Sequence, residues 1–294
     1  MGEKDKAEKI FMGCKEVFAE LINVLIYAGR GKVEQGNLLP GPTESIYRGK
    51  RNELHNQFRD CSMYEMSQDK VYALYNVENQ SRIDPQMVLR CAGYDGAAYR
   101  SQYQDGENIE IYPVISIVLN WGTTPWNTAL SIKEMINRSL PEELEEYISD
   151  NKLHVFDMRY LDKTTKNLFQ GDIRIVLDYL TDRESLLKRN QVLKHPEETL
   201  RMLYALTEDA RYLENIKLAK GGEIKVCDLL DEAENRGIQK GIQKGIQKEI
   251  QQSIRILITT CKELGIDYDR TASKLKEKYA LPEEEARKDM KLYW

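Results

Sequence analysis

Residues 59–80 read RDCSMYEMSQDKVYALYNVENQ, and their pattern changes twice. Phe58 to Met66 can form one short strand, and Ser67-Gln68-Asp69 is a polar turn. Val71–Glu78 is β-branched and aromatic, the composition of a strand. Two strands joined by so short a turn pair as an antiparallel hairpin. With the turn centred near Ser67–Asp69, opposed residues have numbers summing to about 136–138, which puts Asp60 across from Asn76 to Glu78 at a Cβ separation of about 4.5–5.5 Å. Glu78 and Gln80 are two residues apart and point to one face. Cys61-Ser62-Met63-Tyr64 is a less regular strand pattern, and a one-residue slip there would send the acids to opposite faces.

On either side of the hairpin the pattern is mixed. Residues 6–28 read as one helix, with Ile10, Phe11, Cys14, Val17, Phe18, Leu21, Ile22 and Leu25 at three- and four-residue steps, stopped by Gly29-Arg30-Gly31. Asp84-Pro85 offers an N-cap followed by Pro at the first helical position, opening a helix that runs to about Gln102. Tyr112–Leu119 is the most apolar strand and predicts burial on both faces. Residues 153–160, LHVFDMRY, form a further strand. Together these describe an α/β domain over residues 1–165, a mixed sheet flanked by helices.

Beyond Gly171 the chain reads as helical. A helical extension is expected over 166–227, with apolar periodicity in Ile173–Leu187 and Glu197–Leu213. Residues 228–294 hold a long helix and two short ones, the last beginning at Pro282. The long helix contains RGIQ-KGIQ-KGIQ-KEIQ, a four-residue repeat that places Ile238, Ile242, Ile246 and Ile250 on a slowly spiralling stripe beside Gly237, Gly241 and Gly245. The stripe reads either as a helix–helix seam, making the chain a homo-oligomer, or as a solvated spacer; the seam is favoured.

Composition narrows the function. The 294 residues are 41% hydrophobic and 31% charged with a formal net charge of −5, which argues against a surface coated for nonspecific nucleic-acid binding. No apolar run approaches the roughly 20 residues that cross a bilayer. The opening MGEKDKAEK is unlike a secretory signal, so a cytoplasmic protein without a membrane partner is expected. Five scattered cysteines and three histidines give no zinc spacing. P-loop, H-E-x-x-H and G-x-S-x-G motifs are absent.

The hairpin acids fit phosphodiester hydrolysis. A hard divalent cation, Mg²⁺ or Mn²⁺, takes oxygen ligands, which Asp60, Glu78 and the Asn79 carbonyl can supply. Gln80 can orient the attacking water, although an amide is a poor general base. RGKRNELHNQFR (48–59) places Arg48, Lys50, Arg51 and Arg59 against the single acid Glu53, a run that reads either as a solvated segment or as contacts to a nucleic-acid backbone. Spacing alone leaves a chance pairing of strand acids open.

Several words are more specific than the D…E-x-Q motif. Arg59-Asp60, VYALYNVENQSRIDPQMVLRCAGYDGAAY (71–99) and YPVISIVLNWGTTPWN (112–127) resemble the recombination-promoting nuclease family, also labelled transposases, of the PD-(D/E)XK superfamily. VFAELINVLIY (17–27) and the repeat tail are similar to that family's opening helix and C-terminus. The resemblance implies a PD-(D/E)XK nuclease-like sheet, metal ligation by Asp60 and Glu78, and Gln80 in place of the motif lysine. It implies a Mg²⁺-dependent DNA endonuclease of mobile-element, recombination or defence biology. A catalytically silent DNA-binding or assembly protein is the alternative. Glu20 matches an acidic family position and reads as an added acid near the metal or, preferably, a helix-surface carboxylate. Arg90 reads equally as a phosphate contact or a bridge to a carboxylate, and Tyr94 as packing; Asp95 matches the same helix.

Overall fold

A computed structural model describes residues 3–48, 54–103, 110–136, 138–182, 186, 191–216, 245, 247–279 and 281–294. Their strands are β1 (Leu38–Pro40), β2 (Glu44–Arg48), β3 (Leu54–Phe58), β4 (Cys61–Ser67), β5 (Lys70–Gln80), β6 (Val114–Asn120) and β7 (His154–Asp157). Five form one mixed sheet in the order β1-β4-β5-β6-β7, and β2-β3 form a separate two-stranded sheet. β1, β4 and β5 are antiparallel neighbours, whereas β6 and β7 run parallel to β5. β5 lies at the centre and is buried without a break from Ala73 to Asn79.

The hairpin β4–β5 closes through Gln68 and Asp69, both with positive φ (50° and 62°). That is the sign pattern of the two-residue turns whose twist matches the flanking strands. Next to the turn the pairs are Ser67↔Lys70 and Met66↔Val71; after a shift at Glu65/Met66 they are Glu65↔Ala73 through Cys61↔Val77. Tyr72 is therefore the unpaired residue of a β-bulge. The bulge moves the register by one, so that Asp60, one position beyond Cys61↔Val77, falls opposite Glu78 instead of Val77. The irregular Cys61–Tyr64 segment does not slip.

Two helices differ from expectation. The first is broken into α1 (Glu3–Gly13) and α2 (Lys15–Leu25), because Cys14 is extended (φ −68°, ψ 113°) at the start of α2. The break lets Phe11 and Met12 on one side and Phe18, Leu21 and Ile22 on the other enter the same core. The helix after β5, α3 (Met87–Arg100), starts later than Asp84-Pro85 suggests. Asp84 instead folds a turn, its carboxylate accepting the Gln86 N–H at 2.9 Å and its carbonyl the Met87 N–H at 3.1 Å.

α3 covers one face of the sheet, where Met87, Val88 and Cys91 meet Val118 and Leu153. The other face packs α1 and α2 against Met63, Tyr75, Val77, Ile117 and Leu119. The same core takes Phe169, Ile173, Val176 and Leu177, then Leu200, Met202 and Leu203 from the helices Asp172–Thr181 and Pro196–Thr207. The boundary expected at 165 thus runs through one core, and the compact units are Met1–Leu230 and Asp231–Trp294. Within the second, the helix over 247–263 packs Ile254 and Ile258 on Leu275 and Met290 of the helices Tyr268–Tyr279 and Glu283–Tyr293. Gly237, Ile238, Gly241, Ile242 and Ile246 lie outside the described residues. Among the described residues no helix is long and apolar enough to cross a membrane.

Candidate active site

The acids are carried on the side of the sheet that α3 covers. Asp60 sits at the entry to β4, and its Oδ2 accepts the main-chain N–H of Asn79 at 2.8 Å. That bond fixes the carboxylate against the end of β5, where Glu78 is only 1% exposed. Neither carboxylate oxygen of Glu78 has a hydrogen-bond partner. Burial, and after it the negative charge of Asp60, pushes the Glu78 carboxyl up to about 8; the cations Arg90 and Arg59 pull the other way. Neither oxygen has a hydrogen bond of ordinary length. The Asp60 main-chain N–H and the Arg90 guanidinium favour the charged form only in part, so ionising this buried carboxyl is costly.

Asn79 points to the opposite face of the strand. Its Oδ1 accepts the indole N–H of fully buried Trp121 at 3.0 Å, while its Nδ2 is buried without a partner. Its main-chain carbonyl, which on a strand faces the same side as its N–H, is directed toward Asp60. Trp121 is itself fixed: its N–H donates to the Gln80 carbonyl at 2.8 Å, and its carbonyl accepts from Arg159 Nε at 2.8 Å. Gln80, half-buried, points to the face of Glu78.

The basic residues divide. Arg59, expected to meet a nucleic-acid backbone, is instead 5% exposed. Its guanidinium lies 3.6 Å from Asp95 and 5.3 Å from the centre of the Tyr94 ring. Asp95 also accepts from Ser116 at 2.5 Å, and the Tyr94 hydroxyl donates to the Phe58 carbonyl at 3.0 Å. α3 thus receives Arg59 through adjacent residues and turns it into an internal brace. Arg90 forms the carboxylate bridge, 3.0 Å from Asp84 and 3.5 Å from Glu78. Arg48 ends β2, whereas Lys50 and Arg51 lie outside the described residues.

Glu20 is used elsewhere. Its Oε1 accepts the main-chain N–H groups of Gln170 and Gly171 at 2.5 and 2.6 Å, ahead of the helix Asp172–Thr181. A Cβ at Gly171 would stand 2.6 Å from Glu20 Oε2, so a side chain there would displace the Glu20 carboxylate. Glu20 ties α2 to the helical extension. A residue that sequence reading missed takes the place beside Asp60. Lys9 of α1 donates to the Arg59 carbonyl at 3.0 Å, with its Nζ 3.6 Å from Asp60 Oδ1. Nothing in a lysine on an amphipathic helix distinguishes it from a solvated one.

Among the described residues no three His, Cys, Asp or Glu side chains cluster for a metal. The pair Asp60 and Glu78 instead fits a hard cation that keeps several waters, and the two orphan oxygens of Glu78 are the donors such an ion satisfies. The chain matches no curated protein and no solved structure. A family model described as "Putative transposase, YhgA-like" matches residues 52–209, more than half of the chain, spanning β3 to β7 and both acids. The chain belongs to this YhgA-like family of PD-(D/E)XK type.

Proposed function

We propose that this protein is a divalent-metal-dependent DNA endonuclease with a PD-(D/E)XK-type fold, serving mobile-element, recombination or defence biology. The observation that carries the reading is Glu78, buried, with neither carboxylate oxygen in a hydrogen bond of ordinary length, and opposite Asp60. Asp60, Glu78 and the Asn79 main-chain carbonyl would hold Mg²⁺ or Mn²⁺, which when bound lowers the pKa of water and neutralises phosphate charge.

The chain's own residues supply the rest. The Asn79 N–H fixes Asp60, Arg90 holds Glu78 and Asp84 together, and Trp121 fixes Asn79 from behind. Gln80 orients the attacking water from the same face as Glu78. Arg48, Lys50 and Arg51 meet the nucleic-acid backbone just ahead of the acids in the chain, a contribution that weakens with salt. Arg59 is left out of that set, since it is 5% exposed beneath Asp95 and Tyr94.

The test is cleavage of supercoiled plasmid with Mg²⁺, with Mn²⁺ and with EDTA, beside Asp60→Ala and Glu78→Ala variants whose folding is checked by circular dichroism. Metal-dependent nicking lost in both variants is expected. Activity that survives in both would place the chemistry elsewhere. DNA binding without cleavage by the wild type would favour the silent binding protein.

A further inference from the structure

Among the described residues three cations stand near the two acids. Arg59 is 5% exposed and closed to a substrate, with Asp95 at 3.6 Å, and Arg90 is hydrogen-bonded to Asp84 at 3.0 Å with Glu78 at 3.5 Å. Lys9 differs. An ammonium has three donors. One goes to the Arg59 carbonyl, and at 3.6 Å Asp60 is a Coulombic neighbour and not a hydrogen-bond acceptor. Lys9 and Asp60 are both partly accessible, with side chains 21% and 20% exposed and their charged ends 3.6 Å apart. The Arg59 carbonyl anchors Nζ while leaving donors to spare.

Lys9 also lies outside residues 52–209, so the family match assigns it nothing. It reaches the acids only because α1 packs against β4 and β5. In phosphodiester hydrolysis the water oxygen bonds to phosphorus and one P–O ester bond breaks. The water's proton ends, directly or through solvent, on the leaving oxygen. Negative charge grows on the phosphate and leaving oxygens, and Gln80 brings no charge to meet it. A cation fixed beside the site stabilises that change.

We propose that Lys9 is a catalytic residue of this site, its ammonium contacting the scissile phosphate and stabilising the charge that develops during cleavage. The proposal rests on the nuclease reading of Asp60 and Glu78. It is tested on the full chain with Lys9→Met and Lys9→Arg, using Asp60→Ala as reference. The readouts are kcat and KM for plasmid cleavage in Mg²⁺, Mn²⁺ affinity by electron paramagnetic resonance, and thermal stability.

Lys9→Met is expected to lower kcat by about 100-fold, the scale for loss of one transition-state electrostatic contact, with KM and Mn²⁺ affinity within about threefold of wild type. Lys9→Arg, which keeps the charge, recovers at least about tenfold of that loss. Wild-type kcat in Lys9→Met, with cleavage still abolished in Asp60→Ala, overturns the role of Lys9 alone. Loss of Mn²⁺ binding in Lys9→Met, without rescue by arginine, assigns Lys9 a structural task and also overturns it. A wild type that neither cleaves DNA nor binds Mn²⁺ removes the nuclease reading, and the proposal with it.

Discussion

Glu78 carries a proton in the folded protein over a range where the unfolded chain has released it. Its carboxyl is pushed up to about 8 by burial and then by Asp60, against an ordinary value of 4.5. Its contribution to stability is therefore full below the ordinary carboxylate range and is lost as pH rises through about 8. In EDTA, the wild type should lose thermal stability between pH 5.5 and 8.5, and Glu78→Gln should lose distinctly less. Parallel melting curves for the two proteins would contradict this. The Arg59–Asp95 brace gives a second residue-scale outcome. Asp95→Ala leaves a buried guanidinium unpaired and should cost about 3 kcal/mol in urea unfolding, the low end for breaking a buried pair because Asp95 is partly exposed.

At this scale the sequence is legible only in part. The pairing of Asp60 with Glu78 follows from turn position and strand period. The burial of Arg59 does not, because its neighbours Tyr94 and Asp95 come from a helix more than thirty positions later in the chain. Lys9 was invisible for the same reason.

Among the elements, the bulge at Tyr72 matters most to the site. Tyr72 is 59% exposed, has no partner across the hairpin, and precedes every pair that β5 makes with β6, the first being Leu74↔Val114. Deleting Tyr72 should close the bulge while preserving Glu65↔Ala73 through Cys61↔Val77, and with them the acid pair. The deletion variant should fold and keep metal-dependent cleavage within a few-fold of wild type. Loss of cleavage in a folded variant would show that the bulge shapes the site directly. Strand existence and turn position were readable from β-branched and aromatic content. The bulge was not, since it is set by how both strands pack. The break at Cys14 was hidden because the helical period continues across it.

For the whole molecule, the helices after residue 165 complete the core beneath the sheet. Leu200, Met202, Ile173 and Val176 are at most 2% exposed. A chain ending at 165 should lack a cooperative melting transition, whereas one ending at 230 should melt cooperatively and retain cleavage. A cooperative transition in the shorter chain would restore the boundary expected from sequence. Helical periodicity announced these segments but could not tell that their apolar faces share the sheet's core, because period reports which face is buried and not against what.

Asp60 and Glu78 together are proposed to hold one divalent cation. A Mn²⁺ titration followed by electron paramagnetic resonance at pH 6.5 and 8.5, on the wild type, Asp60→Ala and Glu78→Ala, decides this. One site is expected in the wild type, tighter at the higher pH because Glu78 must lose its proton to bind, and no site in either variant. Mn²⁺ binding that is unchanged in both variants would contradict it.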